Sequence, residues 1–262
     1  MTKHNIQLID THCHLDMDAY QDDLEEVLLR ASQAGVCHVV TIGIDRQSSE
    51  QAIKLAEQYD SVHATIGIHP HDAEQASNDE LDALARLARH PKVVGFGEIG
   101  LDYAKLYAPK EKQIELFKQQ LNLAKELELP VIIHDREAHE DTLAILQEHA
   151  PFPCSGILHC FSGDLGFAHK ILELGFYISI PGIVTFKNAN NLQEVAAKIP
   201  LESMLLETDG PFLAPSPFRG KRNEPSYIRH TAEKVAELRA MPIAELALTT
   251  TKNAQEIFAL QG

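Results

Sequence analysis

The sequence predicts an α/β protein built as a single-domain (β/α)8 TIM barrel, one unit over residues 1–262. Three observations lead there. Eight short apolar runs alternate with longer amphipathic ones, a rhythm that builds βαβ units around a parallel sheet. Eight such units in 262 residues is the ordinary size of an eightfold barrel. Histidines and carboxylates gather at the ends of the apolar runs, where such a barrel carries its active site. The competing architecture, a doubly wound open sheet, usually shows a GxGxxG loop after its first strand. Here that strand runs into THCHLD.

The strands read in order as IQLIDTH, HVVTIGI, VHATIGIH, VVGFGEIG, PVIIH, SGILHCF, GFYISIPG and MLLETDG. Several are continuously apolar, as parallel strands buried on both faces are. Between them, YQDDLEEVLLRASQAG carries Leu24, Val27, Leu28 and Ala31 at helical spacing and ends in Gly35, a C-cap. SSEQAIKLAEQYD opens on serines suited to an N-cap, and SNDELDALARLARHP on Ser77 or Asn78. KEKQIELFKQQLNLAKELELP, REAHEDTLAILQEHA, LGFAHKILELG and NANNLQEVAAKI are the next helices, and the tail holds PSYIRHTAEKVAELRA and PIAELALTTTKNAQEIFAL. One long irregular stretch, GPFLAPSPFRGKRNEPS over residues 210–226, stands out, and long loops are often functional.

Composition narrows the class. Hydrophobic residues make up 44% and charged ones 23%, which fits a globular chain with a sizeable core. A net charge of -15 repels polyanions as a whole, so a phosphate-bearing substrate must be drawn in locally. The cysteines Cys13, Cys37, Cys154 and Cys160 form no CxxC pair, which points to a reducing compartment. MTKHNIQLIDTH shows no signal peptide, and no apolar run approaches the roughly 18 residues of a membrane span. The expectation is a cytoplasmic protein without a membrane partner, its oligomeric state open and a monomer plausible.

Strand ends carry the chemistry. The first ends in His12 and His14, the third in His69 and His71, and the fourth in Glu98 and Asp102. The fifth ends in His134, followed by Asp135 and Arg136; the sixth in His159; the eighth in Glu207 and Asp209. His12 and His14 alone read two ways, as imidazoles sharing a strand face around an ion or as surface residues. The whole pattern is stronger, because burying so many such groups without partners is costly and a metal centre satisfies them together. Six candidate ligands, His12, His14, Glu98, His134, His159 and Asp209, exceed the three that hold one catalytic zinc. Two divalent cations per subunit are therefore expected, with Glu98 bridging. Metal-assisted hydrolysis follows: the ions acidify a water, place the substrate and neutralise charge on the departing oxygen. Asp209 is the candidate base that holds the water and takes its proton. Four histidines favour Zn²⁺, Mn²⁺ or Ni²⁺, whereas Mg²⁺ prefers oxygen ligands.

These motifs resemble a known family. HxH after the first strand, Glu98 in GEIGLD, His134 in HDREA, His159 in HCFSG and Asp209 in LETDGPFL resemble the TatD family of metal-dependent hydrolases, among the amidohydrolase-like barrels. TIGIHPHDA, RGKRNEP and TKNAQEIF continue the match along nearly the full chain. The resemblance implies that His12, His14, Glu98 and Asp209 hold one ion, and Glu98, His134 and His159 the other. It implies a DNase, often a 3′→5′ exonuclease on single strands, so single-stranded DNA is the expected partner. It also implies Mg²⁺ dependence, hence one tight transition-metal site and a looser one that Mg²⁺ can fill. Gly210 departs from the alanine that many members carry. A lactonase, deaminase or amide hydrolase using the same centre is the alternative, and a metal-binding protein without useful catalysis a third.

Other residues carry weaker expectations. His69 is a substrate-contacting candidate, while His71 serves the site or caps a loop. His4, His90, His139, His149, His169 and His230 read as surface residues. Asp102 and Arg136 either orient groups in the mouth or pair with each other. Glu207 supports the site more naturally than it ligates. Cys13 and Cys160, one residue out of phase with ligand histidines, should face away. Arg136 with Arg219, Lys221 and Arg222 offsets the acidic charge where a phosphate lands, and Arg222 is taken as substrate-binding. Tyr103 and Phe161 are placed to stack on a base or to line the mouth.

Overall fold

The computed structural model describes residues 6 to 260. Eight buried strands form in the expected order: β1 (Leu8–Cys13), β2 (Val36–Ile42), β3 (Val62–Ile66), β4 (Val93–Asp102), β5 (Val131–Arg136), β6 (Gly156–Leu158), β7 (Tyr177–Ile180) and β8 (Met204–Leu206). Each pairs in parallel with its sequence neighbour. The helices are α1 (Leu24–Ala34), α2 (Arg46–Gln58), α3 (Asn78–Leu87), α4 (Lys110–Glu126), α5 (His139–His149), α6 (Leu165–Glu173), α7 (Asn190–Lys198), α8 (Ile228–Leu238) and α9 (Ile243–Ile257). The fold is a (β/α)8 TIM barrel. At the seam between β8 and β1, Asp209 N–H donates to His12 O (2.8 Å) and His14 N–H to Gly210 O (2.7 Å).

Two apolar clusters hold the barrel. The larger lies between strands and helices and includes Leu8, Phe96, Ile133, Phe117, Leu121 and Val235. In the second, Ile9, Val40, Ile132, Ile157 and Leu205 from the strands meet Ala254, Ile257 and Phe258 at the end of α9. Ile132 and Ile133 thus serve different clusters, as alternation along a strand requires.

Local chemistry sets the ends of the elements. Gly35 closes α1 in the left-handed region (φ 95°), its N–H on Ala31 O. Ser77 caps α3 in a reciprocal box with Glu80. The start of α2 differs from the serine cap read in the sequence: Asp45 is the cap, its carboxylate accepting from Ser48 N–H. A carboxylate at an N-cap also meets the positive end of the helix dipole, which favours it over serine. β6 and β8 are shorter than their apolar runs, so His159, Glu207 and Asp209 stand just past strand ends. Register shifts fall between Asp10 and Cys13 in β1 and between Phe96 and Ile99 in β4, bracketing His12 and Glu98. Such irregularities re-aim side chains near active sites.

Candidate metal centre

Glu98 is the hub. Its residue pair with Gly97 sits where β4 has no room for another side chain: a Cβ on Gly97, whose φ is +155°, would lie 2.4 Å from Ile132 O. The buried Glu98 carboxylate divides its two oxygens. Oε2 faces His12 Nε2 at 3.4 Å and His14 Nε2 at 3.8 Å. Oε1 faces His134 Nδ1 at 2.7 Å, His159 Nε2 at 2.8 Å and His69 Nε2 at 3.6 Å. Asp209 Oδ1 completes the first group, 3.8 Å from His12 Nε2 and 3.5 Å from His14 Nε2. All six predicted ligands therefore converge on one spot from β1, β4, β5 and the ends of β6 and β8.

These donor atoms fit cations. Ligands about 2.0–2.2 Å from an ion stand roughly 3–3.5 Å from one another, and the His12, His14, Glu98 and Asp209 separations cluster near that spacing. His12 is wholly buried, and neither of its ring nitrogens has a hydrogen-bond partner. Burial pushes it down to about 4, so it is neutral at pH 7 with a lone pair to give. His134 stands between two carboxylates, Nε2 3.2 Å from Asp102 Oδ2 and Nδ1 2.7 Å from Glu98 Oε1. Burial alone would lower its pKa, but Asp102 and Glu98 raise it, so the Glu98 side calls for a positive charge, a proton or a cation. Burial alone would raise Glu98, but the histidines, His159 foremost, hold it well below the usual carboxylate range. Three overlapping groups have ligand geometry: His12–His14–Asp209, His12–Glu98–His159 and His69–Glu98–His134.

A surrounding layer fixes these groups. Asp102 Oδ2 accepts from both His134 Nε2 and His71 Nε2 (2.9 Å), and Oδ1 from Lys105 N–H (2.7 Å). Asp102 thus orients a candidate ligand through the histidines, where pairing with Arg136 was the other expectation. Glu207 is buried beside His159, its Oε1 3.6 Å from Nδ1, and accepts from Cys160 N–H at 2.6 Å. Cys160 (φ 44°) and Asp209 (φ 58°) both adopt left-handed backbone, uncommon outside glycine and concentrated at functional sites.

The centre lies at the floor of a cavity of about 570 Å³. His69, His71, Asp135 and Arg136 line it, as do Lys105, Tyr107, Phe212 and Leu213. Several expectations are corrected here. Arg222 does not line the cavity: its guanidinium forks onto Asp23 (2.7 Å to each oxygen) and donates to Ala19 O, so its charge is already met. Arg219 stacks over Phe186 instead of facing the centre. Tyr103 donates to Asp141 under Lys110, and Phe161 is buried against Phe167. Cys160 lines the cavity, because its left-handed backbone breaks the strand alternation; Cys13 faces away, against Tyr20. Among the surface histidines, His90 meets Glu57 and His139 meets Asp135, while His4 lies outside the described residues.

Sequence reasoning missed the residues that hold the Asp209 loop. Asn223 is fully buried; its Nδ2 donates to Thr208 O (2.8 Å) and Phe212 O (2.7 Å), bracketing Asp209. Its neighbours Arg222 and Glu224 anchor on Asp23 and Arg30. The polar run RGKRNEP was the only signal, and it reads equally as a solvated loop. Asn223→Ala is expected to cost about 1–3 kcal/mol, since the buried Thr208 carbonyl loses its donor and the part-buried Phe212 carbonyl loses one as well. A shift in denaturation midpoint worth less than about 1 kcal/mol at constant slope would refute this anchoring.

A barrel whose strand ends converge histidines and carboxylates on one buried glutamate defines a class, the metal-dependent hydrolases. Within it the chain belongs to the family of TatD-related DNases, whose model matches residues 9–259. It is 46% identical to the uncharacterized metal-dependent hydrolase YabD of Bacillus subtilis, covering 97% of this chain and 99% of that protein. It is 38% identical to a protein of Erwinia tasmaniensis named 3′-5′ ssDNA/RNA exonuclease TatD, covering 97% and 100%. The crystal structure of YjjV, a TatD homologue from Escherichia coli K12, superposes with a TM-score of 0.94 at 36% identity, covering 98% and 100%. No helix among the described residues is long and apolar enough to cross a membrane.

Proposed function

We propose that the chain hydrolyses phosphodiester bonds of single-stranded nucleic acid with two divalent cations, one held by His12, His14, Glu98 and Asp209, the other by Glu98, His134 and His159. The observation that carries this reading is the division of Glu98, each oxygen facing its own set of histidines. When bound, such ions supply an acidified water and neutralise charge on the attacked phosphate and the leaving oxygen. The protein's own residues do the rest. Asp209 takes the attacking water's proton, Asp102 and Glu207 hold His134 and His159 in place, and Lys105 and Arg136 receive the phosphate charge from the cavity wall. The name of the Erwinia relative, an exonuclease on single-stranded DNA and RNA, supports the same substrate class.

The test is a panel of substrates with and without EDTA: single-stranded DNA, RNA, p-nitrophenyl phosphate esters and lactones. EDTA-sensitive cleavage of the nucleic acids is expected. Lactone turnover without any phosphodiester cleavage would sink the proposal in favour of a small-molecule hydrolase.

A further inference from the structure

The cavity floor is polar, but its rim is aromatic. Tyr107 and Phe212 line the cavity and are 65% and 48% exposed. Phe212 stands on one side of the centre, its ring 6.0 Å from that of His14 and edge-on to it. Tyr107 stands on the other, perpendicular to His71 at 4.7 Å, and His71 shares Asp102 with His134. One ring therefore belongs to the Asp209 half of the centre and one to the Asp102 half. Tyr103 and Phe161, by contrast, spend their faces on Lys110 and Phe167.

Resting on the phosphodiester reading above, we propose that Tyr107 and Phe212 are stacking platforms for the two unpaired bases that flank the scissile phosphate. A phosphodiester held at Glu98 carries a nucleoside on each side. Each base offers a flat apolar face, and each side of the centre offers a ring. Lys105 and Arg136 line the same cavity and complement the phosphate between the bases. In a duplex the bases are already stacked and paired, so the platforms select single strands. Stacking of this kind tolerates any base and contributes roughly 5- to 150-fold per base. A lactone or a phosphate monoester would leave at least one ring bare.

The experiment compares a short oligodeoxynucleotide with a strand of equal length built from abasic sites. Loaded wild-type protein is expected to prefer the base-bearing strand in kcat/KM. Tyr107→Ala and Phe212→Ala should each reduce that preference roughly 5- to 150-fold, while Tyr107→Phe and Phe212→Tyr retain it. The chain contains no tryptophan, so Tyr107→Trp or Phe212→Trp places a single indole on a platform and keeps a stacking face. Its fluorescence, read in an Asp209→Asn background, should be quenched by the base-bearing strand and not by the abasic one. Equal cleavage of both strands by the wild type, alanine variants that keep the preference, or equal quenching by both strands overturns the platforms alone. Cleavage of neither strand overturns the phosphodiester reading and the platforms with it.

Discussion

Glu98→Ala is expected to lose most of its bound metal and essentially all turnover, the largest single effect available in this protein. Both halves of the centre depend on this one side chain. Oε2 faces His12 and His14, and Oε1 faces His134 and His159, the latter pair at 2.7 and 2.8 Å. Losing a group that only supports a ligand costs roughly 10- to 100-fold in metal affinity; in the proposed two-cation centre Glu98 is a ligand to both, and its loss costs more. Glu98→Gln makes the prediction sharper. Glutamine has one acceptor oxygen and one donor nitrogen, so it can serve one half but not both. It should retain about half the wild-type metal, and alanine less. Elemental analysis of the purified variants, with circular dichroism to show that the barrel is intact, gives the measurement. Wild-type metal content in a folded Glu98→Ala protein would end the bridging role.

Much of this site was legible in the sequence because a barrel converts strand order into spatial order. His12, His14, Glu98, His134, His159 and Asp209 meet only because each ends an apolar run, and such runs end on the same face of the barrel. Alternation along the chain was enough for the strands and most helices. It failed where local backbone overrides period. Cys160 was read as facing away, but its left-handed φ turns it into the cavity. Glu98 and His12 sit at register shifts that no periodic reading locates. The loops were least legible. Arg222 carried the right charge in the right neighbourhood, yet Asp23, 199 positions away, neutralises it. Tyr107 and Phe212 stand in segments without strand or helix period; the long stretch over residues 210–226 marked the neighbourhood of Phe212 but not the side chain, and nothing in the pattern marked Tyr107. The pairing of Asp102 with two histidines depends on a neighbouring strand and on the loop after β3, which sequence spacing does not encode.

Asp209→Asn is expected to keep the fold and most of the metal while losing roughly 10²- to 10⁴-fold in kcat. Three features of the structure make the substitution a clean one. Asp209 adopts a left-handed backbone (φ 58°), a conformation that asparagine tolerates as well as aspartate does. Its N–H on His12 O and its carbonyl on Phe212 N–H are main-chain bonds that the side chain does not influence. Its Oδ1 faces His12 Nε2 and His14 Nε2 at 3.8 and 3.5 Å, and an amide oxygen can take that place. What asparagine cannot do is accept a proton from the attacking water. If Asp209 is the base, the loss falls on kcat, and KM changes little because ground-state contacts survive. If it is only a ligand, turnover at full metal occupancy stays within a few-fold of wild type. The base must then be another group at the centre, and His69 is the first to examine. It lines the cavity and its Nε2 lies 3.6 Å from Glu98 Oε1, within reach of the same water; burial pushes it well below the usual histidine range, which keeps the ring unprotonated but makes it a weaker base than a histidine poised near neutrality. Measuring kcat, KM and metal content together on Asp209→Asn and His69→Ala separates the two assignments.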